Sequence, residues 1–325
     1  MKAAVIERQG GVENIVCRDW PDPEPGPGEV RMAVKACGLN HLDIFVRRGM
    51  PGFPVSMPFI SGGDVAGTID ALGPGVEGWS PGERVTLNPQ TDDGMLGEEI
   101  LGGLAELVVV PAKNLIRLPE TLSFETAAAI PINYGTAHRM LYTRGRLVAG
   151  ETMLVLGASG GVGIACLQLG KMTGARVIAA AGSAEKCERL VQLGADHAID
   201  YSEEDFSRAA WLASDKQGCD VVVNFTGGDT WARCLRTAKR GGRVLTCGAT
   251  AGHDPATDLR YIWVRELDVL GSNSYSQDDV ERSVAHVAAG RLAPVVSHTF
   301  PLAETAAAER LMEERGFFGK IVVLP

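Results

Sequence analysis

Positive charge is in short supply in this sequence: 31 Lys and Arg stand against 40 Asp and Glu, for a net charge of -9. A chain of that sign repels phosphate backbones and anionic membrane faces, so neither nucleic acid nor a membrane is an expected partner. Long apolar runs are missing too. Met1-Lys2-Ala3-Ala4-Val5-Ile6 meets charge at Glu7 and Arg8 before it can serve as a secretory leader or span a bilayer, and the cytosol is the expected compartment by default. The seven cysteines (Cys17, Cys37, Cys166, Cys187, Cys219, Cys234 and Cys247) are odd in number and form no pair with metal-ligand or redox spacing. That excludes a disulfide framework and reads as reduced thiols. No repeat or low-complexity tract is present, and the proline-rich stretch Pro21–Pro27 is long enough only for a turn or spacer.

What is there fits an α/β protein of two domains, because 325 residues with 45% hydrophobic content can bury two cores. Up to about Leu118 the pattern is short apolar stretches cut by turn residues, such as Val30–Lys35 and Glu106–Val110, which predicts a β-rich domain. From Glu151 to Ser272 apolar strands alternate with helical segments, the rhythm of βαβ units. Six strands are predicted: Thr152–Gly157, Arg176–Ala181, His197–Asp200, Val221–Phe225, Arg243–Gly248 and Leu267–Ser272, most of them near-continuously apolar, as strands covered on both faces must be. Six parallel strands make a doubly wound Rossmann sheet. The first crossover helix starts near Gly161 and offers Val162, Ala165, Cys166, Leu169 and Met172 as its inner face. After a helix around Asp278–Ala289, a strand Val295–His298, a helix from Leu302 to Glu313 and a strand Lys320–Leu324 follow and complete the first domain.

The first predicted strand of that sheet runs into Gly157-Ala158-Ser159-Gly160-Gly161-Val162-Gly163 and then a helix. Ser159, Gly160, Gly161 and Val162 therefore sit where backbone amides and the positive end of a helix dipole can hold a pyrophosphate. A cofactor with a free ribose 2′-hydroxyl usually meets an acid at the end of the second strand. Here that position reads Ala180-Ala181-Gly182-Ser183, with Lys186 and Tyr201 following. Gly182, Ser183, Lys186 and Tyr201 suit a 2′-phosphate, so NADP(H) is favoured over NAD(H), although Lys186 also reads as an ordinary exposed helix charge. Ligands of such sheets lie beyond the carboxyl ends of strands, which adds Phe225, Thr226, Cys247, Gly248, Ala249, Thr250, Gly271, Ser272 and Asn273 to the expected cofactor contacts.

Four segments, Cys37-Gly38-Leu39-Asn40-His41-Leu42-Asp43, Gly62-Gly63-Asp64-Val65-Ala66-Gly67, Tyr134-Gly135-Thr136-Ala137 and Gly160-Gly161-Val162-Gly163, together resemble the medium-chain dehydrogenase/reductase superfamily over the whole chain. The resemblance is to its zinc-free quinone oxidoreductase branch, which is similar to the zeta-crystallins. It implies a GroES-like catalytic domain made of residues 1–122 and 293–325, a Rossmann domain of residues 123–292, and a homodimer joined along the last strand of the Rossmann sheet. Zinc-dependent relatives place a ligand Cys where this chain has Asn40 and a ligand His where it has Gly63. No Cys or His lies between Phe124 and Tyr134 and no Cys between Asn88 and Val110, so neither the catalytic nor the structural zinc is expected. Cys37 then reads as a small buried hydrophobe, and His41 as a hydrogen-bonded or surface histidine.

Without a Lewis acid, conjugated acceptors are the expected substrates: a quinone, enone, enal or enoyl thioester spreads the charge that hydride delivers. The resemblance puts Asn40 and Asp43 near the nicotinamide ribose or carboxamide, Thr136 beside the ring, and Lys320 in a segment that folds back to the cofactor. Asn40 and Asp43 read equally well as the cap and first-turn acid of a helix over His41–Arg48. Many relatives carry a Tyr two residues beyond the Asp; Phe45 stands there and cannot donate a proton. Arg47 and Arg48 read as a solvated helix face, and Asp92, Asp93, Glu98 and Glu99 as a mobile, solvated loop. Two other readings stay open: an alcohol or aldehyde dehydrogenase of the same superfamily, and a non-catalytic NADPH-binding protein like the lens crystallins.

Overall fold

The computed structural model describes residues 1–49 and 54–325. The chain forms two compact units: Met1–Ile132 with Ser276–Gly290 and Pro294–Pro325, and Asn133–Tyr275 with Arg291–Ala293. Half of the segment 50–57, expected to shape a pocket, lies outside the described residues.

In the first unit, β1 (Lys2–Ile6) and β2 (Ile15–Asp19) form an antiparallel pair. They are followed by β3 (Glu29–Gly38), α1 (His41–Arg48), β4 (Asp64–Leu72), β5 (Arg84–Leu87), the short hairpin of β6 (Gln90–Thr91) and β7 (Gly94–Met95), β8 (Leu107–Pro111), β9 (Leu115–Arg117) and α2 (Phe124–Ala127). The second unit holds α3 (Pro131–His138, from its third residue on), which runs into a π-helical turn at Arg139–Arg144, then β10 (Thr152–Leu156), α4 (Gly161–Thr173), β11 (Arg176–Ala181), α5 (Ala184–Gln192), β12 (His197–Asp200), α6 (Phe206–Ala213), β13 (Cys219–Val223), α7 (Trp231–Thr237), β14 (Ala238–Thr246), α8 (Leu259–Arg265) and β15 (Asp268–Gly271). The chain then returns to the first unit with α9 (Gln277–Ala288), β16 (Val296–Pro301), α10 (Thr305–Glu313) and β17 (Lys320–Leu324).

The long strand β3 organises the first unit. β4 pairs along one edge, while β8 takes its first half and β17 its last two residues on the other. Alternate residues Val30, Met32 and Val34, and then Cys37 beyond an irregularity in the pairing with β4, lie in a core shared with Val65, Ile69, Leu87, Leu104, Ile321 and Val323. The second unit is a six-stranded, wholly parallel sheet in the order β12-β11-β10-β13-β14-β15, the doubly wound arrangement expected. Its central strands are buried at every position from Met153 to Leu156 and from Val177 to Ala181, which is why they read as continuous apolar runs.

Two local expectations need correction. Helix α4 is buried around most of its circumference, including Gly163, Ile164 and Leu167, whereas Met172, assigned to its inner face, is 36% exposed. Strand β14 begins five residues early, at Ala238, because Gly241 at φ +71° lets residues 239–242 bulge out between the Cys219–Ala238 and Val221–Arg243 pairs, after which pairing with β13 resumes in a shifted register.

Candidate active site

Helix α1 starts directly after β3, and Asn40 occupies its N-cap position in extended conformation. The Asp43 carboxylate accepts from the backbone N–H of Asn40 at 2.7 Å and from that of Gly62 at 2.9 Å, so it ties the helix start to the turn before β4. Gly62 holds φ +98° there, and a Cβ would lie 2.6 Å from Cys37 Sγ, so only glycine fits. The Asn40 side chain does more than cap. Its Oδ1 accepts from Lys320 Nζ at 2.7 Å and its Nδ2 donates to Asp64 Oδ2 at 3.0 Å. Lys320 Nζ also donates to Asp64 Oδ2 at 2.5 Å, and Asp64 Oδ1 accepts from the Ile132 N–H at 2.7 Å. Gly38 makes room for this: a Cβ would lie 2.6 Å from Lys320 Cε.

Asn40, Asp43 and Lys320 are thus brought together with Asp64 in a cluster whose members are at most 9% exposed. Burial, reinforced by the charge of Glu309, pushes the Asp43 carboxyl up to about 7 against the pull of its two N–H donors and of Lys320. Burial also raises the Cys37 thiol well above its ordinary range, consistent with a small hydrophobe. His41 is half-buried, and burial followed by the charges of Arg315 and Lys320 lowers its pKa.

Three features were not readable from the sequence. Asp64 emerges as the centre of the cluster because two of its partners lie 24 and 256 residues away. Arg47 is fully buried, contrary to a solvated helix face: its Nε donates to Glu309 at 2.6 Å and its terminal nitrogens to Glu313 and the Gly10 carbonyl. The acidic loop is not a loose one either, because Glu99 accepts from the Met95 N–H at 2.8 Å, Asp92 pairs with Lys113, and Leu96 and Leu104 are in the core.

In the second unit the glycine-rich turn follows β10. Gly157 adopts φ +64°, the Gly160 N–H donates to the Gly157 carbonyl at 3.1 Å, and α4 begins at Gly161. A Cβ at Gly161 would lie 2.2 Å from Asn133 Nδ2, and one at Gly163 2.4 Å from the Gly157 carbonyl oxygen. The helix N-terminus that follows carries no side-chain cap, and its first amides, from Gly161, Val162 and Gly163, have no intrahelical acceptor. At the end of β11, Ser183 caps α5 by accepting from the Lys186 N–H at 3.3 Å. The Tyr201 ring lies across Gly182, 3.1 Å from where a Cβ would stand. Gly182, Ser183, Lys186 and Tyr201 therefore surround one sheet corner, and the nearby Asp200 carboxylate is turned back onto the Ser202 N–H and hydroxyl.

The carboxyl ends of the other strands assemble beside the glycine turn. The Phe225 ring and Thr226 hydroxyl stand 3.2 and 3.4 Å from a Gly157 Cβ, and Thr250 donates from its N–H to the Phe225 carbonyl at 3.2 Å. Gly248 and Ala249 lie in the turn alongside, and the Cys247 thiol is raised by burial to about 12, which keeps it protonated. The Ser272 N–H reaches the Thr246 carbonyl at 2.8 Å, while its buried hydroxyl has no hydrogen-bond partner among the described residues. Gly271 accepts from Arg144, and Asn273 is exposed. Thr136 stands half-buried on α3 of this unit.

Comparison with known proteins agrees on the family. Residues 26–120 match the alcohol dehydrogenase GroES-like domain, and residues 161–289 match the zinc-binding dehydrogenase domain. The quinone oxidoreductase of Rattus norvegicus is 30% identical, covering 100% of this chain and 98% of its own length. The chain belongs to the medium-chain dehydrogenase/reductase superfamily, in its quinone oxidoreductase branch. A 2-haloacrylate reductase from a Burkholderia species is 32% identical over 99% of this chain and 98% of its own. A solved NAD-dependent alcohol dehydrogenase superposes with a TM-score of 0.94 at 38% identity over 100% of both chains. A crotonyl-CoA carboxylase/reductase in complex with NADP does so with a TM-score of 0.91 at 26% identity over 100% of this chain and 94% of that one. This superfamily member is an oxidoreductase that uses a nicotinamide cofactor, and its two units are the GroES-like and Rossmann-like parts of the superfamily fold.

Proposed function

We propose that this oxidoreductase is a zinc-independent, NADPH-dependent reductase that delivers hydride to a conjugated carbonyl acceptor: a quinone, an enone or enal, or an enoyl thioester. The observation that carries the zinc-free part is the Lys320 ammonium. It bonds Asn40 and Asp64 at once, so a positive charge already sits on the carboxylate that neighbours the two positions where zinc relatives have a Cys and a His. A dication beside that ammonium would be repelled, and neither the Asn40 amide nor Gly63 offers a thiolate or imidazole. The residues do not fit a catalytic zinc, and no group of three or more His, Cys, Asp or Glu among the described residues could hold a metal ion.

The dinucleotide does fit. Ser159, Gly160, Gly161 and Val162 would receive its pyrophosphate, the Ser272 hydroxyl offers it a hydrogen bond, and Ser183, Lys186 and Tyr201 would hold a 2′-phosphate, with the Asp200 carboxylate turned onto Ser202. When bound, the reduced nicotinamide supplies the hydride. The chain supplies orientation: Thr136 beside the ring, and Asn40 and Asp43 at the ribose or carboxamide, with the Asn40 amide held by Lys320 and Asp64 and its backbone N–H by Asp43. Phe45 has no proton to give, so the proton that completes reduction comes from water, the nicotinamide-ribose 2′-hydroxyl or another side chain.

A second copy of the chain is expected at β15, which is an open sheet edge bearing Val269 at 40% exposure next to Leu259, Trp263 and Val264 on α8 at 60% or more. No helix of the described residues is long and apolar enough to cross a membrane. We assign the catalytic domain to residues 1–122 and 293–325 and the cofactor domain to residues 123–292.

The test is to purify the protein with a chelator and follow NADPH oxidation against quinones, enals, enones and enoyl thioesters, repeating each with NADH. Fast turnover of one acceptor, with NADH poor, supports the reading. Turnover of alcohols with NAD, demanding added zinc, would replace it with the alcohol dehydrogenase reading that the solved neighbour at 38% identity favours.

A further inference from the structure

Helix α1 carries site residues at its start and, one turn later, a polar group that the reductase reading leaves unused. Arg47 follows Asp43 by four residues, so both side chains leave the same helix face, and both are buried. Arg47 spends its guanidinium on Glu309 at 2.6 Å, on Glu313 and on the Gly10 carbonyl, with both acids standing on α10. Glu309 is 1% exposed and its second oxygen, Oε1, has no hydrogen-bond partner among the described residues. A buried ion pair is a poor source of stability, because desolvation cancels most of the attraction and apolar side chains of the same size join two helices equally well.

The arrangement makes sense in relation to Asp43. Its two oxygens clamp the N–H groups of Asn40 and Gly62, and the residues reached through those two backbone points, Asn40 and Asp64, are the ones that hold Lys320. We propose that the Arg47–Glu309 pair positions the Asn40–Asp64–Lys320 cluster through Asp43, by fixing α1 against α10 and setting the charge against which Asp43 clamps the two amides. Glu309 and Arg47 are positioning residues in this account and touch neither cofactor nor substrate. The account rests on the reading of that cluster as part of the active site.

The charged and titratable groups that face Asp43 are Glu309 from α10, Lys320 from β17 and Cys37 from β3, with Arg47 on its own helix and Asp64 beyond Lys320. Among them Glu309 holds the Asp43 carboxyl up and Lys320 pulls it down. Protonation of Asp43 weakens its acceptance of both N–H groups, so the clamp loosens as pH falls through the carboxyl's pKa of about 7.

Glu309→Gln keeps the shape and an acceptor for Arg47 but removes the charge. We would measure protection of the Asn40 and Gly62 amides against hydrogen exchange across pH, a readout that needs no turnover, together with the pH profile of kcat/KM for the acceptor. The expected result is that the midpoint for both amides, and the acid limb of the profile, move to lower pH by about one unit, while KM for NADPH holds. Asp43→Asn should abolish the pH dependence of protection in both backgrounds. Arg47→Lys, a second probe should Glu309→Gln fold poorly, keeps a positive charge without the fork and should lower protection of both amides several-fold at every pH. Midpoints that stay put in Glu309→Gln, or amides unaffected by Arg47→Lys, would overturn the proposal. If the amide midpoints move while the wild-type protein reduces no acceptor, the positioning stands and the reductase reading fails.

Discussion

Replacing Asp43 by asparagine should change the sign of its effect on stability between acid and neutral pH. Below the ordinary carboxylate value of 3.8 the group is protonated in folded and unfolded chains alike and contributes nothing. From there to about 7 the unfolded chain is ionised while the folded one keeps its proton, so the folded state loses about 1.4 kcal/mol for every pH unit. Above that value the full penalty, roughly 4 kcal/mol, is present in the wild type and absent in the variant. Asparagine has its own cost, because its Nδ2 would face one of the two N–H donors and leave it unsatisfied, at about 1–3 kcal/mol. The variant should therefore be less stable than the wild type at about pH 4 and more stable at about pH 8, with the difference swinging by roughly 4 kcal/mol. Urea unfolding of both proteins across that range, followed through a probe in the first unit, measures the swing. A difference that stays constant across the range would mean that Asp43 titrates as an ordinary carboxylate, and the reasoning about its burial would fall.

Other outcomes follow from the same geometry. Lys186→Ala and Ser183→Ala should each raise KM for NADPH by roughly tenfold and leave KM for NADH in place, a contrast that steady-state kinetics with both cofactors reads directly. Gly163→Ala puts a methyl 2.4 Å from the Gly157 carbonyl oxygen, so α4 must shift; about 1–3 kcal/mol of stability and most NADPH affinity should be lost by thermal melting and fluorescence titration. Trp263→Arg with Val269→Asp should convert a dimer to a monomer in analytical ultracentrifugation, and a variant that sediments like the parent would reject the β15 edge as the interface.

Legibility in the sequence followed the range of the interactions. The parallel strands could be read because burial on both faces leaves apolar runs such as Met153–Leu156 and Val177–Ala181, and α1 because its N-cap and first-turn acid are local signals. The bulge in β14 escaped because a Gly-Gly pair there reads as a break, and only pairing with β13 carries the strand through it. The roles of Arg47 and Asp64 were out of reach. An arginine on a helix is ordinarily solvated, and the partner that buries this one lies 262 residues further on. Asp64 stood in the sequence only within a segment that carries the family resemblance, and its role depends on Lys320, 256 residues further on.

That closure has a consequence for how the protein is made. Strand β3 is synthesised early, but the strand that completes its edge and carries Lys320 is β17, nearly the whole chain later. At ribosomal speeds of about 5–20 residues per second the nascent chain waits on the order of tens of seconds with the edge of β3 open and Asp64 without its counter-charge. The parallel sheet of the second unit, contiguous from β10 to β15, can be finished in that interval. The polar cluster is therefore among the last parts of the protein to form. Slowing translation over the final helix, or trimming β17, should expose an unpaired strand and an uncompensated buried carboxylate, and yield should fail through aggregation before activity does.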